Sequence, residues 1–306
     1  MVPSTAAAIF SVLFSVLMPQ KMWYAPTQPL TVAIKSDKDV TLELMDFSGK
    51  VIDPKTSADV AASQSADLKQ VFPETGTVGT YVLFALPKGT APSKTGPPEN
   101  FLGTPLVIEV APQPIPDSQG KQLAMITHVV PLQYVVMTTE SGPMTEAFYY
   151  DSAPHTIDNF LTLSLGGYYE GTVFHRVHPG FVIQSGDPLS TDPDASKHGM
   201  GGPGYTVPSE FNDRPHLEGV LSMARSNDPN SAGSQFFVCL DYSATQQLDH
   251  QYTAFGKVVE GMDTVKAIAS APVKDETPDK PVAITKVEIF PVTAQKDPYT
   301  SIIAAK

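Results

Sequence analysis

Arg176 stands in the run TVFHRVHPGFVIQSGDP, residues 172–188, with Phe174, Phe181, Val182 and Ile183 close by in sequence. The chain has three arginines, Arg176, Arg214 and Arg225, and all lie within one 50-residue stretch; every other cation is a lysine. Lysine therefore supplies the surface charge, and arginine is kept for places where its planar, permanently charged fork of donors matters. His175 and His178 flank Arg176, but on an extended segment residues three apart point to opposite faces, and no third ligand is placed by spacing. A structural hydrogen-bonding role suits them better than a metal. The glycine-rich GMGGPGY, 199–205, opens no helix as G-x-G-x-x-G, and none of the Gly-Lys pairs at Gly49, Gly120 and Gly256 is followed by Ser or Thr. It reads as a turn-forming loop, not as a phosphate cradle. G-x-S-x-G and H-E-x-x-H are absent, so the hydrolase templates find no support; a dispersed triad stays open. Cys239 is the one cysteine, in FFVCL, which removes an internal disulfide and a Cys-x-x-Cys zinc site and leaves a small buried hydrophobe. What remains is a single rigid donor beside an apolar wall.

The elements that must hold this donor belong to the second half of the chain. LQYVVMTTESGPMTEAFYY, 132–150, alternates on both sides of Ser141-Gly142 and predicts a hairpin. In DSAPHTIDNFLTLSLGG, Pro154 suits a first helical turn, Ile157, Phe160, Leu161 and Leu165 share a face, and Gly166-Gly167 supplies the stop. A second helix fits GMDTVKAIAS, 261–270, with Met262, Val265 and Ala269 inward. Strands and long glycine-rich loops lie between, so a closed antiparallel β-barrel capped by two helices is expected over 131–292. The first half is different. Strands in LTVAIKSDKDVTLELMDFSGKVID, GTYVLFAL and TPLVIEVA predict a small β-sandwich over 23–115, and its Gly-Thr-Tyr, 79–81, resembles the tyrosine corner of immunoglobulin-like domains. Asp46, Asp53 and Asp59 are scattered there and form no catalytic cluster. The bland reading is a solvated sandwich; the sharper one is a module that docks a partner. PQPIPDSQGK, 112–121, is the linker candidate, giving a linker over 116–130. Disorder is the expectation for the tail 293–306.

Composition narrows the function classes. Apolar residues make up 42% and charged residues 17% of 306, enough for a packed core. The net charge of −12 argues against a surface built to neutralise phosphates, and so against nucleic acid as partner. AAAIFSVLFSVLM, Ala6–Met18, has the length of a signal-peptide core and is too short to span a bilayer comfortably. Removal of a signal peptide over 1–22 and export to the periplasm or exterior are expected; a cytoplasmic protein with a buried N-terminal element is the alternative.

FHRVHPGFVIQSGDP, GMGGPGYTVPSEF, LSMARS, GSQFFV and YTAFGKVVEGMD occur in the order and spacing of the cyclophilin-type peptidyl-prolyl cis-trans isomerases, and the chain resembles the bacterial members of that family from about Leu132 to Phe290. The first half is not covered. The resemblance implies an enzyme that accelerates rotation about X–Pro bonds in unfolded or partly folded polypeptides, assists their folding and uses no cofactor or metal. The family's catalytic arginine falls on Arg176. Its proline-ring pocket falls on Phe181, Val182, Phe237 and Leu248. Gln184 matches the residue that orients the guanidinium, and Ala224, Arg225 and Gln235 match the groove for substrate backbone. Tyr252 stands where many members carry histidine, and its hydroxyl can still donate. Gln247 departs from the tryptophan of many eukaryotic members, a residue associated with cyclosporin binding. A second reading, a cyclophilin-fold module that captures Pro-containing segments with little turnover, rests on that departure.

Overall fold

The computed structural model describes residues 16–52, 58–93, 96–112 and 125–303. They form two compact units. One is Tyr134–Phe290; the other joins the residues up to Gln133 with those from Pro291 onward.

The first unit is built from β1 (Leu17–Pro19), β2 (Trp23–Tyr24), β3 (Thr31–Ile34), β4 (Val40–Asp46), β5 (Ala58–Val60), β6 (Ser65–Asp67), β7 (Gly79–Pro87), β8 (Leu106–Pro112) and β9 (Met125–Pro131). They make two antiparallel sheets, in the orders β1-β3-β6 and β2-β9-β8-β7-β4-β5. Alternation along the strands sends Val40, Leu42 and Leu44 of β4 and Leu106, Ile108 and Val110 of β8 into one core with Leu17, Val32 and Ile34 of the smaller sheet. The Tyr81 hydroxyl turns back to Thr77, 2.9 Å from its Oγ1. A Cβ on Gly79 would lie 2.8 Å from that hydroxyl, so glycine is required beneath the ring.

Three expected boundaries change. The stretch 116–130 is not all linker: 113–124 lie outside the described residues, but β9 pairs with β8 through seven positions, from Leu106 opposite Pro131 to Pro112 opposite Met125. MITHVVP has the composition of a strand, and the proline-rich run ahead of it hid that in the sequence. The tail is ordered through Ile303, because it carries its own anchor. Tyr299 is fully buried, donates its hydroxyl to the Gln133 carbonyl at 2.6 Å and meets Phe47 edge-on. At the other end, Leu17 is buried and pairs with Ile34, so β1 belongs to the sandwich although it falls inside the expected signal segment. The rest of that segment, residues 1–15, lies outside the described residues.

The second unit contains β10 (Gln133–Thr139), β11 (Gly142–Phe148), β12 (Arg176–His178), β13 (Val182–Ser185), β14 (Val220–Met223), β15 (Phe236–Cys239), β16 (Ala254–Glu260), β17 (Val273–Lys274), β18 (Thr277–Pro278) and β19 (Ile284–Pro291). Eight of these form one antiparallel sheet in the order β12-β13-β15-β14-β16-β11-β10-β19. The barrel is not closed, contrary to expectation. The sheet curls as a half-barrel; ahead of its end strands the segments 171–174 and 282–284 meet at a single bridge, Val173 to Ala283, flanked by the Gly171, Ile284 and Phe174 amides donating to the Ile284, Thr172 and Val282 carbonyls.

Helix Pro154–Leu165 lies over the sheet through Ile157, Phe160 and Leu161. Phe160 touches the rings of Phe148, Tyr169, Phe236 and Phe255, which form the centre of this core. Leu165 is exposed, not inward: the i, i+3, i+4, i+7 stripe from Ile157 ends on Ser164, whose hydroxyl bonds the Phe160 carbonyl. Helix Met262–Ala269 buries Thr264, Val265 and Ile268, while Met262 and Ala269 are half-buried at its ends. One core residue is out of character. Glu146, at an irregularity in the β11–β16 pairing, is fully buried, and among the described residues neither carboxylate oxygen has a hydrogen-bond partner.

Candidate active site

Strand register assembles the site. Arg176 lies opposite Gln184, Gln184 opposite Phe237, Phe237 opposite Ser222, and Ser222 opposite Ala254. Directly paired residues project to the same side of a sheet, so this row crosses five strands on one face. The next row on that face holds His178, Val182 and Cys239. The intervening residues Val177, Ile183, Val238 and Leu221 point the other way and are fully buried. The alternation in FHRVHPGFVIQ thus divides one stretch between core and site.

A chain of amides fixes the guanidinium. Arg176 Nη1 donates to Gln184 Oε1 at 3.2 Å, Gln184 Nε2 donates to Gln235 Oε1 at 2.9 Å, and Gln235 Nε2 donates to the carbonyls of Gly199 and Gly201. The glycine-rich loop is therefore the anchor of this relay. Among the described residues no acceptor holds Arg176 Nη2, which leaves one donor edge for another molecule.

Phe181, Val182, Phe237 and Leu248 supply the apolar part. Val182, Phe237 and Leu248 are buried and Phe181 is half-buried. The Leu240 amide donates to the Phe181 carbonyl, and the Tyr252 amide to that of Leu248, so short backbone bonds fix both segments. Tyr252 meets Phe237 edge-on at 5.8 Å and lies 4.4 Å beneath the Arg225 guanidinium. Arg225 is held by the Gln251 and Ser226 carbonyls, so it braces the aromatic wall with a cation–π contact. Ala224 and Arg225 also line a groove of about 600 Å³ with Gln184, Gln235 and the 199–206 loop. All the expected site residues thus fall around one row and its adjoining groove. Gln247 is exposed, its amide donates to the Ala244 carbonyl, and it lines a shallow pocket with Phe181 and His178.

Two features escaped sequence reasoning. A Ser–His–Asp array does assemble: His216 Nδ1 is 2.9 Å from Asp249 Oδ1, and its Nε2 is 3.0 Å from Ser222 Oγ. Ser222 and His216 are fully buried, so this is no nucleophile; the imidazole stacks on Phe237 and supports it from below. Burial pushes the His216 pKa down despite the nearby Asp249, which keeps the ring neutral under Phe237. The HLEGVLS spacing of His216 and Ser222 was the available signal. The second feature is Glu276, whose Oε2 accepts from Arg176 Nε at 2.5 Å and whose Oε1 lies 2.6 Å from His178 Nδ1. It comes 100 residues after Arg176 and outside every quoted motif. His175 is buried and His178 half-exposed, on opposite sides of the strand.

The curled antiparallel sheet thus presents a tethered arginine beside an aromatic and aliphatic wall. The sequence profile of the family described as cyclophilin type peptidyl-prolyl cis-trans isomerase/CLD matches residues 134–289. A peptidyl-prolyl cis-trans isomerase of Synechococcus elongatus is 43% identical over 135 residues, which cover 44% of this chain and 86% of that protein. The isomerase CYP18-2 of Arabidopsis thaliana is 38% identical over 159 residues, 50% of this chain and 89% of its own length. A crystal structure of a Cryptosporidium parvum cyclophilin, determined in the presence of the dipeptide Ala-Pro, is 31% identical and covers 51% of this chain and 98% of its own, with a TM-score of 0.47. The chain belongs to the cyclophilin-type peptidyl-prolyl cis-trans isomerase family.

Proposed function

We propose that Arg176 is the catalytic residue of this isomerase and that Phe181, Val182, Phe237 and Leu248 receive the proline ring. An X–Pro amide turns slowly because resonance stiffens its C–N bond, with a barrier of about 20 kcal/mol. No bond is made or broken, so the protein needs only to favour the twisted amide over both planar forms. Twisting localises the nitrogen lone pair and makes it a better acceptor. Arg176, held on Nη1 by Gln184 and on Nε by Glu276, offers Nη2 as a donor whose position is set before substrate arrives. The apolar wall excludes water from that contact and holds the ring while the acyl side rotates. Each ~1.4 kcal/mol of preference for the twisted state is tenfold in rate. Gln235, Ala224 and Arg225 then bind substrate backbone in the adjoining groove.

The observation that carries this reading is the Arg176–Gln184–Gln235 relay beside Phe237. The test is a coupled cis/trans peptide assay on the full chain. Arg176→Ala should lose at least tenfold in kcat/KM with the fold intact; equal rates would refute the assignment. The non-aromatic Gln247 is the point in favour of the second reading, a binding module with little turnover, and that reading predicts tight binding of a Pro-containing peptide with no acceleration in the same assay.

The substrates proposed are unfolded or partly folded polypeptides. We also propose export, on the apolar run 6–18. Because β1 completes the smaller sheet, a cut that spares the sandwich falls before Val16, not at 22; mass spectrometry of the mature N-terminus tests this, and intact Met1 in cytosolic protein would overturn it. The sandwich is proposed to dock a partner, a reading supported by Trp23, exposed on the edge strand β2. Cross-linking of the full chain and a Trp23→Ala variant in cells tests it: equal adduct patterns would remove the proposal.

A further inference from the structure

β17 and β18 form a hairpin apart from the main sheet, with Val273 opposite Pro278 and Lys274 opposite Thr277. Its two-residue loop is Asp275-Glu276, and both residues are left-handed, with φ of 49° and 64°. Two positive φ values are the geometry of a tight hairpin turn that normally selects Asn-Gly, Asp-Gly or Gly-Gly. A long carboxylate in the second position is a costly choice, because a non-glycine residue is strained at a positive φ. The backbone does not need it, since glycine adopts this conformation freely.

What the side chain does there is visible. The Val177 amide donates to the Glu276 carbonyl at 2.8 Å, which docks the turn against β12. The two carboxylate oxygens then divide between neighbours: Oε2 takes the Arg176 Nε–H and Oε1 meets His178 Nδ1. Arg176 and His178 are two residues apart on one face of β12, so the carboxylate bridges consecutive outward side chains. Burial raises the Glu276 pKa, but the hydrogen bonds from Arg176 and His178 outweigh it and hold the group ionised. Gln184 restrains one end of the guanidinium and Glu276 the other. With only one of them the plane could still turn about its remaining contact; with both, Nη2 has a fixed direction.

We propose that Glu276 is a positioning residue that sets the plane of the Arg176 guanidinium, with His178 steadying the carboxylate. The proposal rests on the assignment of Arg176 as the catalytic donor. Glu276 does not touch substrate in this scheme; it acts through the arginine, and its effect is on the twisted state, where the direction of the donor matters most.

The test uses Glu276→Gly, Glu276→Gln and Arg176→Ala, singly and as the Glu276→Gly/Arg176→Ala pair, in the full chain. Glycine relieves the backbone strain while it removes the carboxylate. A merely structural Glu276 therefore predicts an unfolding midpoint equal to or above wild type and unchanged turnover. The positioning role predicts a kcat lowered about tenfold or more, KM within about twofold, and a smaller loss for Glu276→Gln, which keeps an acceptor. It also predicts that Glu276→Gly adds nothing in the Arg176→Ala background. With three arginines in the chain, the Arg176 Nε–H resonance is readily assigned, and it should move upfield and exchange faster in Glu276→Gly. Unchanged kcat in Glu276→Gly alongside a crippled Arg176→Ala would overturn the proposal and leave the catalytic arginine standing. A wild-type rate in Arg176→Ala would overturn the assignment beneath it.

Discussion

Glu146 should make this protein less stable as the solution becomes more alkaline, and the size of the effect follows from its burial. The side chain is fully buried in β11 with no partner for either oxygen among the described residues, and burial raises its pKa from 4.5 to about 8. Between those values the unfolded chain has released the proton and the folded chain still holds it. The folded state binds more protons, so stability falls as pH rises across that window and levels off above about 8. The window spans about 3.5 pH, and at about 1.36 kcal/mol for each the loss approaches 5 kcal/mol, a large share of a typical domain's stability. Glu146→Gln keeps the shape and stays neutral. It should match wild type near pH 4 and exceed it progressively towards pH 8. Denaturant unfolding at several pH values measures the difference, with hydrogen exchange of the β11 amides as the probe. Tryptophan fluorescence is unsuitable, because the single tryptophan, Trp23, is in the other unit. A difference that stays constant from pH 4.5 to 8 would show that Glu146 ionises freely in the fold.

Other perturbations have equally direct outcomes. Gly261→Ala places a Cβ 2.5 Å from the Pro143 carbonyl oxygen at a φ of 91°, so the second unit should lose about 2–3 kcal/mol or more in chemical denaturation. Tyr299→Ala removes a fully buried ring and its bond to Gln133; the first unit should lose about 3–5 kcal/mol, read by Trp23 fluorescence, while isomerase activity at 15 °C is retained. Cyclosporin should inhibit weakly, because Gln247 offers no aromatic ring at this position, and Gln247→Trp should tighten it; nanomolar inhibition of the wild type would contradict this account.

The parts of the site legible in the sequence are those that sit on regular strands. Arg176, Gln184 and Phe237 come from runs whose alternation and motif content are strong, and pairing places them in one row. Glu276 was not legible, since a carboxylate in a two-residue turn has no periodicity and its partner is 100 residues away. Asp249 and His216 were hidden for the same reason: their contact is made by loops. Fold errors have physical origins too. The open sheet and the ordered tail depend on pairings between distant segments, and the strand at 125–131 was hidden by the proline-rich run ahead of it, whereas the helix at 154–165, set by a local proline, an apolar stripe and a glycine stop, is found where it was expected.

The first unit takes strands from 17–131 and its last anchor from 291–303, so its core is discontinuous in sequence, while the isomerase unit is one uninterrupted stretch. On a ribosome the order of completion follows. Residues 134–290 emerge before the last piece of the first unit, so the sandwich, although begun first, gains the Tyr299 contacts to Phe47 and Gln133 only after them. The earlier-made unit, whose prolines are a slow step in refolding, thus reaches its full set of contacts only when the isomerase unit is already covalently attached to it.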